Sequence, residues 1–531
     1  MLVGRLARSS LAAFSIHVAG AGMTYLSQLV VARLIGPGSY GIYAYVLAWV
    51  TVLSYGSALG FDISLLRFVS AYRAEQAWPL LRGAIQYAER RVILAGLGIV
   101  LVGSAVVTMW PQHMSRELMN TFLAGFLVVP ILALLWIRGS VVRALGGVVS
   151  ALAPDRFARD GILLCLIALA GWIGWWNIHA PFVMVTTLAS SVAGLGLVSL
   201  AAHARRPAEV INVAPAYAAT LWRRTALPLV IIAVSEVIMN RTGVMLLGSA
   251  GHITDAGIYA LAFNLTFIVT LPRSAINALF APMIADLFVR NDRTALQLLI
   301  TKAAFGMLLA SLCIALPLGL LAEPLLTWFG RDFGGGLTTL RILLIGQVIM
   351  AGAGSQLFVM TMTGHERGAA MLLVLGVIGN AVLGAILIRS FGMVGAAIAN
   401  TVMLIVWNAA MAIYIWRKLQ LAPGLLMLVR HGHRLRKKVV GNSDVARRFG
   451  QRLKGMPRRA RWLGCAALLL ASSVNARFAY SHVRGPTVIT ATGGFCRQAL
   501  EPWVVGSKAD RLDQPTGPTD RLPAFRTGTC Q

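Results

Sequence analysis

The sequence predicts an all-α integral membrane protein with about 12 transmembrane helices in two related halves, followed by a basic, largely disordered C-terminal tail. Three observations predict this fold class: the number of long apolar segments, the alternation of basic and non-basic connections, and a tetrapeptide repeated in both halves. The composition agrees, since 57% of the residues are hydrophobic and 12% are charged. Soluble domains of ordinary composition carry about twice that share of charge.

About twelve apolar segments lie between Ser9 and Trp416. A helix needs roughly 20 apolar residues to cross the hydrocarbon core of a bilayer, and each segment approaches or exceeds this length. The predicted spans are 9–34, 41–69, 91–110, 118–137, 161–178, 180–202, 225–248, 257–285, 303–322, 338–362, 369–388 and 392–416.

Basic residues concentrate in alternate connections between these spans. The N-terminus and the even-numbered connections carry 18 Lys and Arg residues, whereas the odd-numbered connections carry five. The first group is Arg5, Arg8, Arg73, Arg82, Arg90, Arg91, Arg138, Arg143, Arg156, Arg159, Arg205, Arg206, Arg223, Arg224, Arg290, Arg293, Lys302 and Arg367. Because basic residues beside spans are retained in the cytoplasm, we expect both termini to be cytoplasmic.

The formal net charge of +28 is concentrated in the tail and at the ends of spans. From residue 417 onward the chain has 21 Lys and Arg against 5 Asp and Glu. The cluster 430–438 follows the last span, where each cation contributes about 1 kcal/mol to contact with anionic membrane lipids. A nucleic-acid partner is not expected, because neither aromatic interleaving nor a known binding module accompanies the charge. Beyond Gly485 the composition is typical of disorder.

The chain contains two matched halves. The tetrapeptide Gly-Ile-Tyr-Ala opens the second predicted span at 41–44 and the eighth at 257–260. Both copies follow a short connection and begin an unusually long span. Transporters are often built from such repeats. We therefore expect an N-terminal lobe of six helices (1–202), a cytoplasmic linker (203–224), a second lobe of six helices (225–416) and a basic cytoplasmic tail (417–531).

Several segments resemble one family of transporters. They are 34–43 (Leu-Ile-Gly-Pro-Gly-Ser-Tyr-Gly-Ile-Tyr), 59–62 followed by 67–69, 364–367 (Gly-His-Glu-Arg) and 392–399. Together they resemble the oligosaccharide flippases, the polysaccharide-transporter branch of the multidrug/oligosaccharidyl-lipid/polysaccharide flippase superfamily. The resemblance implies two pseudo-symmetric six-helix lobes around a central cavity, with a lipid-linked glycan as cargo.

The physical properties of two of these segments can be stated independently of the resemblance. Gly36, Pro37 and Gly38 form a turn that cannot continue a helix. Gly392, Gly395 and the alanines after it place small residues on helix faces, which permits close approach of neighbouring helices.

Charged residues within predicted spans are the candidate functional groups. A charge at the bilayer centre costs about 2.5–3.5 kcal/mol on insertion scales, so each one needs a compensating interaction or a function. We expect Arg273, Arg241 and Arg67 to neutralise the phosphate groups of the cargo, because guanidinium matches phosphate geometry. Arg273 follows Pro272, which kinks its helix. For Arg67 an interfacial position, and for Arg241 pairing with an acid, remain open alternatives.

The acidic and amide candidates are Asp62, Glu236 and Asn240, of which the last two share a helix face. They are candidates for carrying a coupling proton or cation, or for structural pairing. Five cysteines form no metal or disulfide pattern, and no metal site, catalytic group or cofactor is expected.

The function predicted from these observations is translocation of a polyprenyl-diphosphate-linked oligosaccharide across the bacterial inner membrane by alternating access, in cooperation with other glycan-assembly proteins. The alternatives are a cation-coupled multidrug exporter of the same superfamily and a membrane glycan polymerase. An exporter is expected to prefer acidic cavity residues, and a polymerase a large outward loop; the longest outward connection here, roughly 323–337, is short and rich in glycine.

Overall fold

A computed structural model describes residues 2–109, 114–174, 178–422 and 424, and the regular elements among them are all helical. The first half contains α1 (Leu2–Ala58), α2 (Phe61–Ala74), α3 (Trp78–Met109), α4 (Arg116–Ala144), α5 (Val148–Ala153), a π turn (Pro154–Ala158), α6 (Arg159–Trp172) and α7 (Ala180–Arg205). The short helix α8 (Ala208–Ile211) lies in the linker.

The second half contains α9 (Ala219–Ser249), α10 (Ile253–Thr266), a 3₁₀ turn (Phe267–Thr270), α11 (Leu271–Val289), α12 (Arg293–Leu320), α13 (Ala322–Phe329), a 3₁₀ turn (Arg331–Gly336), α14 (Leu337–Ala353), α15 (Gln356–Met362) and α16 (Glu366–Leu419). The basic cluster 430–438, and nearly all of the predicted tail, lie outside the described residues.

The helical runs of the described residues agree with about twelve spans when they are divided at their breaks. Nine runs in the described part of the chain are long and apolar enough to cross a membrane. Two of them fold back at a single glycine with positive φ, Gly36 (φ 71°) and Gly392 (φ 54°). Dividing these two runs and adding the segment 148–172 gives the predicted number of spans. Only glycine adopts these backbone angles without strain, which explains both turns.

Three of the long spans are broken near their middle. The second span stops at Leu59 and Gly60, both with positive φ, before α2 begins. The eighth changes to a 3₁₀ turn at 267–270, and the tenth breaks at Gly354, whose φ is 80°. Such irregular backbone within a membrane is tolerated where it lies inside protein or lines a polar cavity. Asp62 and Arg273 each follow one of these breaks.

The fifth span begins well before the residue predicted from hydropathy. The expected start was 161, but the helical backbone begins at Val148 and continues through the π turn into α6. The helix therefore continues through Asp155, Arg156, Arg159 and Asp160, and these charges pair with one another.

The two copies of Gly-Ile-Tyr-Ala meet where the second and eighth spans cross. A Cβ atom built on Gly257 would lie 2.8 Å from both the amide nitrogen of Gly41 and the carbonyl oxygen of Pro37. A Cβ atom on Gly41 would overlap the carbonyl oxygen of Ile253. Tyr43 and Tyr259 of the two copies are both buried. The repeat is therefore a contact surface between the halves, where glycine lets two backbones approach.

The seventh span runs antiparallel to the second. Trp222 donates a hydrogen bond to the Tyr72 hydroxyl (3.0 Å), and at the other end Gly248 packs against the ring of Tyr45. This gives the bundle two ends. We call the end that carries residues 206–218 the linker face, and the opposite end, which carries Gly36, the Gly36 face.

Candidate functional site

Arg241 lies on α9 toward the Gly36 face, and its guanidinium is only partly exposed. Its electrostatic neighbours are three tyrosines of α1: Tyr40, Tyr55 and Tyr43. Within the described residues it forms no ion pair with a carboxylate, so the alternative of acid pairing is not realised in this structure. A membrane-embedded guanidinium whose electrostatic neighbours are phenol groups and not carboxylates has donors available for an anion.

Arg273 lies in the first turn of α11, directly after Pro272. Its guanidinium interacts electrostatically with Glu236 of α9, at a separation greater than the 4 Å of an ion pair. Glu236 is exposed although it lies near the middle of a membrane span. The amide of Asn240 donates a hydrogen bond to the Glu236 carbonyl oxygen (2.9 Å), which orients it along the helix. Arg273 thus lies within electrostatic range of Glu236, and Asn240 lies one turn further along α9.

Asp62 lies in a different environment, at the start of α2 against α4. Its carbonyl oxygen accepts a hydrogen bond from Ser140, whose hydroxyl also accepts one from Arg143 (2.6 Å). The Asp62 carboxylate interacts electrostatically with Arg143, and one of its oxygens is buried without a hydrogen-bond partner among the described residues. A buried carboxylate with an unused acceptor atom is able to take up a proton or bind a cation.

Arg67 is exposed on α2, one to two turns beyond Asp62 toward the linker face. No ion pair of Arg67 occurs within the part of the chain that the structure describes. Its position fits the interfacial alternative better than it fits a site shared with Arg241 and Arg273.

Tyr55 connects several of these groups. Its hydroxyl lies within electrostatic range of Arg156, Asp62, Asp155 and Glu236, and also of Arg241. Its ring packs on Trp136 of α4, with 4.3 Å between the ring centroids and 36° between the planes. Both aromatic side chains are partly exposed. The pair therefore presents an apolar surface with polar edges beside the charged groups, as aromatic pairs in binding sites do.

A second charged cluster, in the fifth span, was missed by the sequence analysis. Arg159 contacts Asp155 (3.4 Å) and Asp160 (3.3 Å), and Thr24 of α1 donates a hydrogen bond to Asp160. Arg156 contacts Asp155 at 3.5 Å. The signal was present, since two acids and two arginines lie within six residues beside Pro154. It was interpreted as a cytoplasmic loop because of its polarity.

This cluster is expected to be structural. The Asp160 side chain is 7% exposed, so Asp160→Ala leaves Arg159 with one acidic partner in a buried setting. Breaking a buried pair costs about 3 kcal/mol, and we expect a clear drop in the thermal unfolding temperature of the purified protein. The matched control is Asp286→Ala. The Asp286 side chain is 49% exposed and lies 2.9 Å from Arg290. The loss there is expected to be at most about 1 kcal/mol. Equal loss in both variants would contradict the structural role.

Comparisons with known proteins agree with this architecture. The family model described as "Polysaccharide biosynthesis protein" matches residues 6–288, just over half of the chain. No curated protein sequence matches it.

Solved structures share the fold. An inward-facing multidrug resistance MATE family transporter of the MOP superfamily has a TM-score of 0.62 at 13% identity, covering 77% of this chain and 98% of the other. A mutant of the Vibrio cholerae MATE transporter VcmN has a TM-score of 0.56 at 17% identity, covering 78% and 98%. A MOP superfamily transporter from Pyrococcus furiosus, described as having a binding pocket of reverse polarity, has a TM-score of 0.50 at 14% identity, covering 77% and 95%.

The chain therefore has a MATE-like transporter fold, and the predicted fold class is confirmed. The solved structures that share this fold are transporters and not enzymes.

Proposed function

We propose, since the chain belongs to the polysaccharide biosynthesis protein family, that it is a flippase for polyprenyl-diphosphate-linked oligosaccharide in the bacterial inner membrane. The substrate would enter between the two halves from the cytoplasmic leaflet and leave to the outer leaflet. No bond is formed or broken. We place both termini and the linker face in the cytoplasm, because the basic connections lie at that end.

The observation that carries this proposal is the lack of a close carboxylate beside the two arginines of the seventh and eighth spans. Arg241 has tyrosines and no paired carboxylate around it, and Arg273 has one acid beyond ion-pair distance. Charges within a membrane are usually paired. We therefore propose that an arginine without a close counter-ion binds the anion of a substrate. A lipid diphosphate brings two negative charges, and guanidinium groups bind phosphate oxygens in pairs.

The aromatic pair Tyr55–Trp136 supports a glycan as the rest of the cargo. Sugar rings have apolar faces and hydroxyl edges, and an aromatic surface with polar edges matches both. The pair is contributed by α1 and α4 of the first half, whereas the two arginines belong to the second half. We propose that the headgroup binds across the halves, which would couple its binding to their relative movement.

Asp62, Glu236 and Asn240 are proposed to serve energy coupling. Glu236 is exposed within the span and faces Arg273, so protonation of Glu236 would strengthen the positive potential available to phosphate. Asp62 belongs to the first half, and its buried carboxylate oxygen would bind the proton or cation there. Glu236→Gln is a direct probe of this role, since it removes the carboxylate and keeps the shape of the side chain.

Aromatic contacts close the Gly36 face between the halves. Phe329 of α13 packs edge-on against Tyr25 of α1, with 5.4 Å between the ring centroids. Phe333 packs in the same way against Tyr40 at 6.0 Å. In alternating access these contacts would have to separate when the substrate leaves.

A cross-link across this face is therefore expected to stop transport. In a variant whose five native cysteines are replaced by serine, Tyr25→Cys combined with Phe329→Cys should react with a short bifunctional thiol reagent that a reductant can cleave. Transport is expected to fall to background and to recover after reduction. The control pair, Leu325→Cys with Phe329→Cys, lies one turn apart on the same face of α13 and is expected to cross-link without effect. Full transport through the Tyr25–Phe329 cross-link would contradict the mechanism.

Deletion of the chromosomal copy tests the proposed cargo. We expect lipid-linked oligosaccharide to accumulate on the cytoplasmic leaflet and surface polysaccharide to be lost, with unchanged resistance to toxic organic cations. Hypersensitivity to such compounds with normal polysaccharide would instead indicate an exporter. Normal amounts of both would refute the proposal.

A further inference from the structure

A basic cleft lies on the linker face, away from the candidate site. It has a volume of about 150 Å³ and is lined by Arg82, Ile85, Gln86, His203, Arg206 and Val210. These residues come from three separate parts of the chain: the start of α3, the end of α7 and the linker helix α8. No charged residue of the substrate proposal lines it.

The cleft is built around the attachment of the linker to α3. Arg82 donates a hydrogen bond to the carbonyl oxygen of Val213 (2.7 Å), and Ala216 donates one to the carbonyl oxygen of Pro79 (2.9 Å). Gly83 allows this approach, because a Cβ atom at that position would overlap the carbonyl oxygen of Ala216. The Tyr217 hydroxyl contacts Gln86 (3.3 Å). The linker is therefore fixed to the first half, beside the cleft.

Among the described residues, those that line the cleft include no acid. Arg82 and Arg206 are cationic, and His203 adds a further donor in the last turn of α7, where the helix dipole favours positive side chains. The adjacent Arg205 packs instead against Gly147, at the turn between α4 and α5. The acid of this segment, Glu209, is exposed on α8 and does not line the cleft.

We propose that this cleft binds the phosphodiester headgroup of an acidic glycerophospholipid. Basic pockets between helix ends at the cytoplasmic surface suit such headgroups. Ile85 and Val210 line the cleft and are themselves buried. A phosphate in the cleft bridges Arg206 at the end of α7 and Arg82 at the start of α3. Arg82 also donates a hydrogen bond to Val213 of the linker, so the lipid stabilises the linker in its contact with α3. Because the linker leads into the second half, the lipid also stabilises the start of that half.

The test measures binding of phosphatidylglycerol to the purified full-length protein in nonionic detergent, by native mass spectrometry and by thermal unfolding. Arg206→Glu reverses an exposed charge at the cleft and leaves the attachment of the linker intact. We expect the affinity for the tightest-bound lipid to fall about thirtyfold. The substitution changes the charge by two units, and each unit contributes about 1 kcal/mol near the membrane surface. A difference of about 1.4 kcal/mol corresponds to a tenfold change in affinity.

Arg223→Glu is the matched control. It makes the same charge reversal at an exposed position on the same face, at the start of α9 and outside the cleft. Its lipid affinity is expected to stay within threefold of the unmodified protein. The basic tail is present in all variants, so its contribution to binding is common to them. An equal loss in both variants would show a general surface-charge effect and would overturn the proposal.

Two further arms identify the ligand. Phosphatidylcholine, whose headgroup has no net charge, is expected to bind the unmodified protein at least tenfold more weakly than phosphatidylglycerol. Glycerol phosphate without acyl chains is expected to give no thermal stabilisation at millimolar concentration. Stabilisation by glycerol phosphate that equals the effect of the lipid would assign the cleft to a soluble phosphate and overturn the lipid assignment. Because these measurements do not involve transport, they stand apart from the flippase proposal.

Discussion

Arg273→Ala is expected to reduce glycan export by about ten- to a hundredfold, because a charge-assisted hydrogen bond contributes about 1.5–3 kcal/mol. The guanidinium lies after a helix break, and Glu236 is the acid that interacts with it. In the proposed mechanism, removing it would leave the substrate phosphate without a counter-charge in a medium of low dielectric constant. The amount of protein in the membrane is expected to be unchanged, since Arg273 makes no ion pair in the described part of the chain whose loss would destabilise the fold. Export is measured as surface polysaccharide in a deletion strain complemented with each variant.

Two further variants separate charge from geometry at this position. Arg273→Lys keeps the charge but loses the planar pair of donors, so we expect it to restore part of the export. Arg224→Ala removes an exposed arginine of α9 on the linker face and serves as the control with full export. If Arg273→Ala exports normally while its protein level is normal, the substrate role of this arginine is excluded.

Gly257→Val is expected to have the other large effect, through the contact between the halves. The new Cβ atom would lie 2.8 Å from the Gly41 amide nitrogen and the Pro37 carbonyl oxygen, both backbone atoms that cannot move out of its way. Overpacking of this kind costs about 1–3 kcal/mol and forces the two helices apart. We expect a lower thermal unfolding temperature of the purified protein and loss of export.

The neighbouring position Gly38 supplies the control for this crossing. A Cβ atom there would meet no heavy atom within 4 Å, although Gly38 lies in the same turn as Pro37. Gly38→Val should therefore unfold close to the temperature of the unmodified protein. Similar loss in the two variants would mean that the crossing at Gly41 and Gly257 does not depend on close backbone contact.

The arrangement of the spans could be predicted from the sequence more completely than the pairing of charges inside the bundle. The number of spans, the turn at Gly36 and the unusual length of the second and eighth spans are all confirmed. The helix that contains the fifth span begins before the predicted start of that span, because a hydropathy profile counts Asp160 and Arg159 as separate exposed charges. In the structure each neutralises the other inside the bundle, so the helix continues through them.

For the candidate site too, the sequence predicted positions along one helix but not the contacts between helices. Sequence spacing correctly placed Glu236 and Asn240 one turn apart on α9. Nothing in the sequence indicated that Tyr40, Tyr43 and Tyr55 of α1 would surround Arg241, or that Trp136 of α4 would pack on Tyr55. The basic cleft on the linker face also joins residues more than one hundred positions apart, such as Arg82 and Arg206.

The sequence by itself determined that this protein crosses the membrane many times and that its halves repeat. Both properties depend on the length and order of apolar segments, which the transfer of each segment into lipid fixes one at a time. Only the tertiary structure decided which charges are paired, which two glycines touch and which arginines have no close counter-ion. Those outcomes depend on the rotation and crossing of helices against one another, and a linear pattern does not specify either.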